Sequence, residues 1–194
     1  MIPLWIKLSY TVVAVVIVAV YAFKYPPSNF LWFSDIALLA TVPALWFESS
    51  VVASTMTLAV LLPEVFWNVG FFGRLISGRR IGGLADYMFD PSKPRHLRAL
   101  SLFHVFLPVL LVWMVAKLGY DDDALIAATL LAWIVFPLTY WLADPKGENV
   151  NWVRGLGSEP QTRLPPLAYL GALMIAVPVL VYLPTHLVLR PLFG

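Results

Sequence analysis

Val12-Val13-Ala14-Val15-Val16-Ile17-Val18-Ala19-Val20 is an unbroken apolar run inside the longer stretch from Leu4 to Ala22, and its reading decides the fold. A transmembrane β-strand alternates apolar and polar residues over ~10 positions. This run does not alternate, and with its flanks it approaches the ~20 residues that an α-helix needs to cross ~30 Å of hydrocarbon. Backbone N–H and C=O groups in lipid have no water to bond, so a spanning segment that is not part of a closed barrel must be helical. The run therefore predicts a membrane helix.

The rest of the chain repeats the pattern. Its 194 residues are 60% hydrophobic and 12% charged, with a mean hydropathy of +0.81. A soluble domain needs more polar residues than this to cover its outer faces. Apolar stretches predict spans near residues 4 to 22, 30 to 47, 51 to 72, 98 to 117, 123 to 142 and 166 to 189. The fold class expected is all-α: one polytopic membrane helical bundle of about six transmembrane helices over residues 1–194. Although Lys7 precedes the first apolar run, that run is long and lacks a small-x-small cleavage site. It reads as a retained helix.

Glu48-Ser49-Ser50 and Asp121-Asp122-Asp123 are short hairpins. The Asp triplet is expected to cap the following helix and compensate its dipole. Two longer loops, Gly73 to Leu97 and Ala143 to Pro165, are rich in Gly, Pro and charge. Six crossings place Lys24, Arg74, Arg79, Arg80, Lys93, Arg95, Arg98, Lys146, Arg154 and Arg163 at one end of the bundle, which is 10 of the 13 basic residues. By the positive-inside rule that end is cytoplasmic and both termini face out. A multi-pass bacterial inner-membrane protein is expected, with membrane lipids and another membrane protein as the classes of partner.

Composition also excludes functions. The absence of cysteine removes disulfides, thiolate nucleophiles, iron–sulfur ligation and covalent haem attachment. A formal net charge of +2 is too small to argue for a nucleic-acid partner. No P-loop, GxGxxG or HExxH pattern occurs. The residues name no cofactor.

Ionisable groups inside a span are costly and need a partner or a task. Three lie well inside: Asp35, Glu64 and His104. Helix rise puts all of them in the cytoplasmic half, with Ser34, Trp67, Asn68, Ser101, Thr139, Tyr140 and Asp144 at or near the same level. Pro63 and Pro108 remove helix hydrogen bonds, freeing the carbonyls of Ala59 and His104. Freed carbonyls beside ionisable groups predict a polar cavity at the cytoplasmic mouth, roofed by the long loops.

Several readings of the layer are open. It is a hydrogen-bonded cluster that sets helix register, paired with Arg98 or Arg74; a two-carboxylate, one-histidine metal set without an ExxH signature; a proton or ion pathway; or a catalytic site. His186 reads as an outer-interface anchor. Asn149, Asn151 and Trp152 combine amide donors with an aromatic ring, and bind a headgroup or a substrate carbonyl unless loop solvation alone explains them. Arg79, Arg80, Arg95 and Arg98 are expected to attract anionic headgroups.

Three stretches carry a family resemblance: Phe30-Leu31-Trp32-Phe33-Ser34-Asp35, Ser101-Leu102-Phe103-His104-Val105, and Asn149 to Trp152. In these the chain resembles the androgen-induced-protein family of intramembrane fatty-acid-ester hydrolases and related bacterial integral membrane proteins. The resemblance implies a nucleophile in the second helix working with His104. That family uses threonine, and none occurs between Trp32 and Asp35, so Ser34 is the nearest substitute. The function expected is hydrolysis or transfer of a lipid acyl ester, with His104 as base, Ser34 as nucleophile and Asp35 as orienter. Asn68 or Asn151 is the oxyanion donor in this scheme, and Glu64, Asn68, Asn149, Asn151 and Trp152 contact substrate. The alternative is a non-catalytic accessory subunit or lipid-binding scaffold.

Overall fold

The computed structural model describes all 194 residues, Met1–Gly194. Eight α-helices run in order: α1 Leu4–Lys24, α2 Phe33–Phe47, α3 Ser50–Ser77, α4 Arg95–Leu100, α5 Phe103–Leu118, α6 Ala124–Leu142, α7 Pro166–Val177 and α8 Leu183–Phe193. A short turn at Ser101–Leu102 joins α4 to α5, and a π-helical turn, Pro178–Tyr182, joins α7 to α8. Five continuous helical stretches are long and apolar enough to cross a membrane: Leu4–Lys24, Ser50–Ser77, Arg95–Leu118, Ala124–Leu142 and Pro166–Phe193.

The sixth apolar helix, α2, has 15 residues and falls short of ~30 Å at ~1.5 Å per residue. Its start differs from expectation: residues Pro27–Leu31 form a 3₁₀ turn and the α-helix begins at Phe33. Pro26 and Pro27 remove two N–H donors there, and Trp32 turns the chain into α2 with no side-chain cap of its own. The missing cap comes from Asn151, 118 residues away, whose Oδ1 accepts the Phe33 N–H at 3.2 Å.

Burial patterns explain the packing. On α1 the buried residues are Tyr10, Ala14, Ile17 and Tyr21, a single stripe at i, i+4, i+7 and i+11 that lies against α2. The rest of α1 is left for lipid. Helix α3 is central, packing on α2, α5 and α6, and is buried all round from Ala53 to Val60. Small residues there, Ala53, Ser54, Thr55, Thr57 and Ala59, let the neighbours approach closely. On α6 the same purpose is served by Ala124, Ala128 and Ala132.

Both ends of the bundle are tied by specific bonds. At one end Glu48 accepts hydrogen bonds from the Ile2 amide and Lys7 Nζ at 2.9 and 2.8 Å. There too Ser54 accepts the Asp121 N–H, Tyr120 N–H bonds the Phe193 carbonyl, and Arg190 pairs with Asp122. The N-terminus, both short hairpins and the C-terminus thus share one end of the bundle. The Asp triplet supplies the N-cap residue of α6, Asp123, as expected, but its side chain makes no cap bond, and Asp121 Oδ1 accepts the Asp123 N–H. His186, expected as an outer-interface anchor, is turned inward. It is buried and its Nδ1 meets the Tyr120 hydroxyl at 2.8 Å, where burial pushes the tyrosine up to about 12.

At the opposite end the loop after α3 folds back on its own helix. A Cβ on Gly73 would stand 2.6 Å from Ile81 Cδ1, and one on Gly70 would stand 3.0 Å from the Ile81 carbonyl oxygen. Two glycines three residues apart therefore clear the groove that receives this loop. Beneath it Trp67, Ala85 and Met88 form a small second core.

Candidate functional site

Glu64 occupies the buried face of α3, one turn before Trp67. His104 lies in the first turn of α5. Because α3 and α5 pack side by side, the two side chains meet: His104 Nδ1 stands 2.9 Å from Oε1 and 2.8 Å from Oε2 of Glu64. The glutamate side chain is 3% exposed and the histidine 14%. A carboxylate acceptor calls for a proton on Nδ1, and Nε2 makes no hydrogen bond within the chain. The imidazole is also held face-on, stacked against Trp67 at 4.7 Å and Phe103 at 4.1 Å between ring centroids.

Asn68 completes the support. Its Nδ2 donates to the carbonyl of Glu64 at 2.8 Å and to that of His104 at 2.7 Å. The second acceptor is the carbonyl that Pro108 leaves without its helical partner, so the proline kink and the asparagine answer one another. The same device recurs at Pro178, where Trp133 Nε1 donates to the freed Met174 carbonyl at 2.9 Å. With both donors spent on backbone, Asn68 keeps no N–H for the oxyanion role expected of it.

Asp35 sits in the first turn of α2, buried, with Oδ2 accepting from Asn29 Nδ2 at 3.3 Å and Oδ1 without a partner. The carboxylate on the histidine is Glu64, not Asp35. A carboxylate in the first helical turn also complements the helix dipole. Ser34 is half-buried beside it and makes no hydrogen bond to His104, whose polar contacts go to Glu64 and Asn68. No three His, Asp or Glu side chains gather closely enough to hold a metal ion, so Asp35, Glu64 and His104 do not form the ligand set considered from sequence.

The loop asparagines work inside the fold. Asn151 Nδ2 donates to the Leu31 carbonyl at 2.7 Å and to Thr139 Oγ1 at 3.3 Å, in addition to capping Phe33. Asn149 Nδ2 bonds the carbonyls of Gly155 and Gly157, and its Oδ1 accepts the Arg154 N–H. The Trp152 carbonyl accepts the Tyr169 hydroxyl. Asn151 and Trp152 both hold positive φ, 51° and 57°, a conformation asparagine tolerates better than most residues. These residues bind the loop to α2, α6 and α7, and their amides are not free for a substrate.

The expected partners of the acidic layer are also engaged elsewhere. Arg74 pairs with Asp86 at 2.8 Å, and Arg98 Nη1 donates to the Met88 carbonyl at 2.7 Å. Open clefts mark the two ends of the bundle, one around Tyr120, Asp122 and Arg190, the other around Arg74, Asp86 and Tyr87. Neither is lined by Asp35, Glu64 or His104. The second adjoins their layer through Tyr87, whose hydroxyl accepts from Trp67 Nε1 at 3.2 Å.

Sequence reasoning placed Glu64, His104, Asn68 and Trp67 near one level, but did not foresee the aromatic stack. Trp67 and Phe103 carried a signal for it, since one lies a helical turn from Glu64 and the other next to His104. The chain matches no protein-family model, no curated protein and no solved structure.

Proposed function

We propose that this protein resides in a bacterial inner membrane with both termini outside, and that it hydrolyses or transfers an acyl ester of a membrane lipid using His104 as general base. The observation that carries the reading is the Glu64–His104 pair. A carboxylate on Nδ1 orients the ring and stabilises its protonated form, leaving Nε2 to take a proton from an attacking oxygen. The resemblance of the Phe30–Asp35 and Ser101–Val105 stretches to intramembrane ester hydrolases supports the same chemistry. The excess of Lys and Arg in the long loops supports the orientation.

In this reading Nε2 withdraws the proton as the oxygen adds to the ester carbonyl, and returns it to the departing alcohol as the tetrahedral intermediate collapses. The attack is assigned to water or to an acceptor alcohol, because Ser34 is not bonded to His104. In purified protein in lipid nanodiscs, turnover of a panel of phospholipid and fatty-acid esters is expected to fall about a hundredfold or more for His104→Gln. Glu64→Gln is expected to lower it as well, while Ser34→Ala retains it. Full turnover by His104→Gln would sink the proposal. A Ser34→Ala variant without turnover would reinstate serine as the nucleophile.

A second reading has its own support. Both faces of the imidazole are covered, and the Asn68 donors and the Glu64 oxygens are engaged, as in a packing cluster that sets the α3–α5 register. An accessory subunit or lipid-binding scaffold needs no more than this. It is the reading that remains if the wild-type protein turns over none of the esters.

A further inference from the structure

Residues 79–93, between α3 and α4, are joined to the bundle by side chains alone. Their backbone hydrogen bonds stay among themselves, running from the N–H of Gly83 to the carbonyl of Ile81, Asp86 to Gly83, Met88 to Ala85, Asp90 to Tyr87 and Lys93 to Asp90. None of these residues belongs to the main core of the bundle. The stretch is an internally bonded strap. Beneath it Ala85 and Met88 bury Trp67 in a small separate core, with Val105 packed at its edge. Trp67 stacks on His104, and Val105 is the next residue along α5. The strap therefore covers the residues that flank the Glu64–His104 pair on both helices.

Three side-chain bonds fasten it. Trp67 Nε1 donates to the Tyr87 hydroxyl at 3.2 Å, Arg74 Nη1 to Asp86 Oδ1 at 2.8 Å, and Arg98 Nη1 to the Met88 carbonyl at 2.7 Å. Arg74 also lies over the Phe89 ring at 4.6 Å. The ionic fastening is a weak one, because the Arg74 and Asp86 side chains are 30% and 24% exposed and water screens such a pair. Asp86 also holds Arg80, which belongs to the strap itself, so the carboxylate keeps a cation when it leaves Arg74. Gly78, where the strap departs from α3, has a positive φ of 71° and open space around it, as a hinge needs. A region with few buried apolar contacts and only local backbone bonds opens before the rest of a fold.

We infer that residues 79–93 form a hinged lid over the Glu64–His104 pair, fastened to α3 by the Arg74–Asp86 bond, and that its opening admits small molecules to His104 from the loop end of the bundle. His104 Nε2 makes no hydrogen bond within the chain, so an entering group meets a free nitrogen. Entry of an ester by this route rests on the function proposed above. The opening itself does not.

The test is carbethoxylation of the full chain in neutral detergent by diethyl pyrocarbonate, read at each histidine by peptide mass spectrometry and independent of any turnover. His96 is exposed and His186 is buried at the opposite end, so they report the reagent and the whole fold. His104 is expected to react more slowly than His96 and to speed up about threefold in Asp86→Asn, with His186 unchanged. Raising the ionic strength to about 1 M, where charges are screened over ~3 Å, is expected to speed His104 in the wild type but not in Asp86→Asn. Ala85→Cys supplies a second reading. Its thiol is expected to react faster with a water-soluble maleimide in the Asp86→Asn background, whereas that of Ala143→Cys, equally buried at 3% and at the same end, holds its rate. Rates at His104 and at Ala85→Cys that Asp86→Asn leaves unchanged would overturn the lid, as would a rise at His104 matched at His186. Opening without turnover of any ester would retain the lid and count against the ester chemistry alone.

Discussion

Asn68 donates to a carbonyl that a proline on another helix has orphaned, and this bond can be tested at the level of single residues. Asn68→Leu leaves the His104 carbonyl without a partner in a low-dielectric interior, which costs roughly 1–3 kcal/mol. Pro108→Ala restores an N–H one helical turn away. In that background the cost of Asn68→Leu is expected to shrink, giving a coupling of about 1 kcal/mol in a double-mutant cycle of thermal unfolding in detergent. Identical costs in the two backgrounds would detach Asn68 from the proline kink. His104 and Glu64 were legible from sequence because intramembrane charge is conspicuous. Their pairing was not legible, since it depends on α3 and α5 being neighbours, and the residue spacing contains no signature of that.

Among the elements, the hairpin between α2 and α3 turns on Glu48, which takes a left-handed φ of 51° and carries the bonds from Ile2 and Lys7. The Lys7 ammonium and the Ile2 amide hold its carboxyl below the ordinary glutamate value of 4.5. A depressed carboxylate contributes stability that is present above the ordinary value and lost as the pH falls through the lowered one. Wild-type thermal stability is therefore expected to decline on acidification below about pH 4.5 more steeply than that of Glu48→Gln. Parallel acid profiles for the two proteins would show that the N-terminus is not tied to the hairpin in this way. Helix lengths were nearly readable from hydropathy, and the exception is informative. Pro26, Pro27 and a cap supplied by Asn151 delay α2 to Phe33, so Asp35 lies in its first turn and not a turn and a half inside.

For the whole molecule, the end-to-end bonds place Lys117 at the end of the bundle that holds both termini and Lys24 and Lys146 at the other, which in the proposed orientation puts them on opposite faces of the membrane. The chain has no cysteine, so single Lys24→Cys, Lys146→Cys and Lys117→Cys variants can be labelled by a membrane-impermeant maleimide without background. In intact cells only Lys117→Cys is expected to react, and in inverted vesicles only the other two. Labelling of Lys24→Cys and Lys117→Cys from the same side would overturn this placement of the two ends. The fold class was determined by the sequence alone, because lipid admits few backbone solutions and the apolar runs have helical length. Charge distribution in the loops likewise separated the two ends. Only the tertiary structure decided which carboxylate meets His104, and that Asn149, Asn151 and Arg98 make hydrogen bonds within the fold. Those outcomes rest on which helices adjoin and on hydrogen bonds spanning up to 120 residues. The unbroken Val12–Val20 run tells that α1 is helical and lipid-soluble, whereas the stripe it turns inward is chosen by the neighbour it packs against.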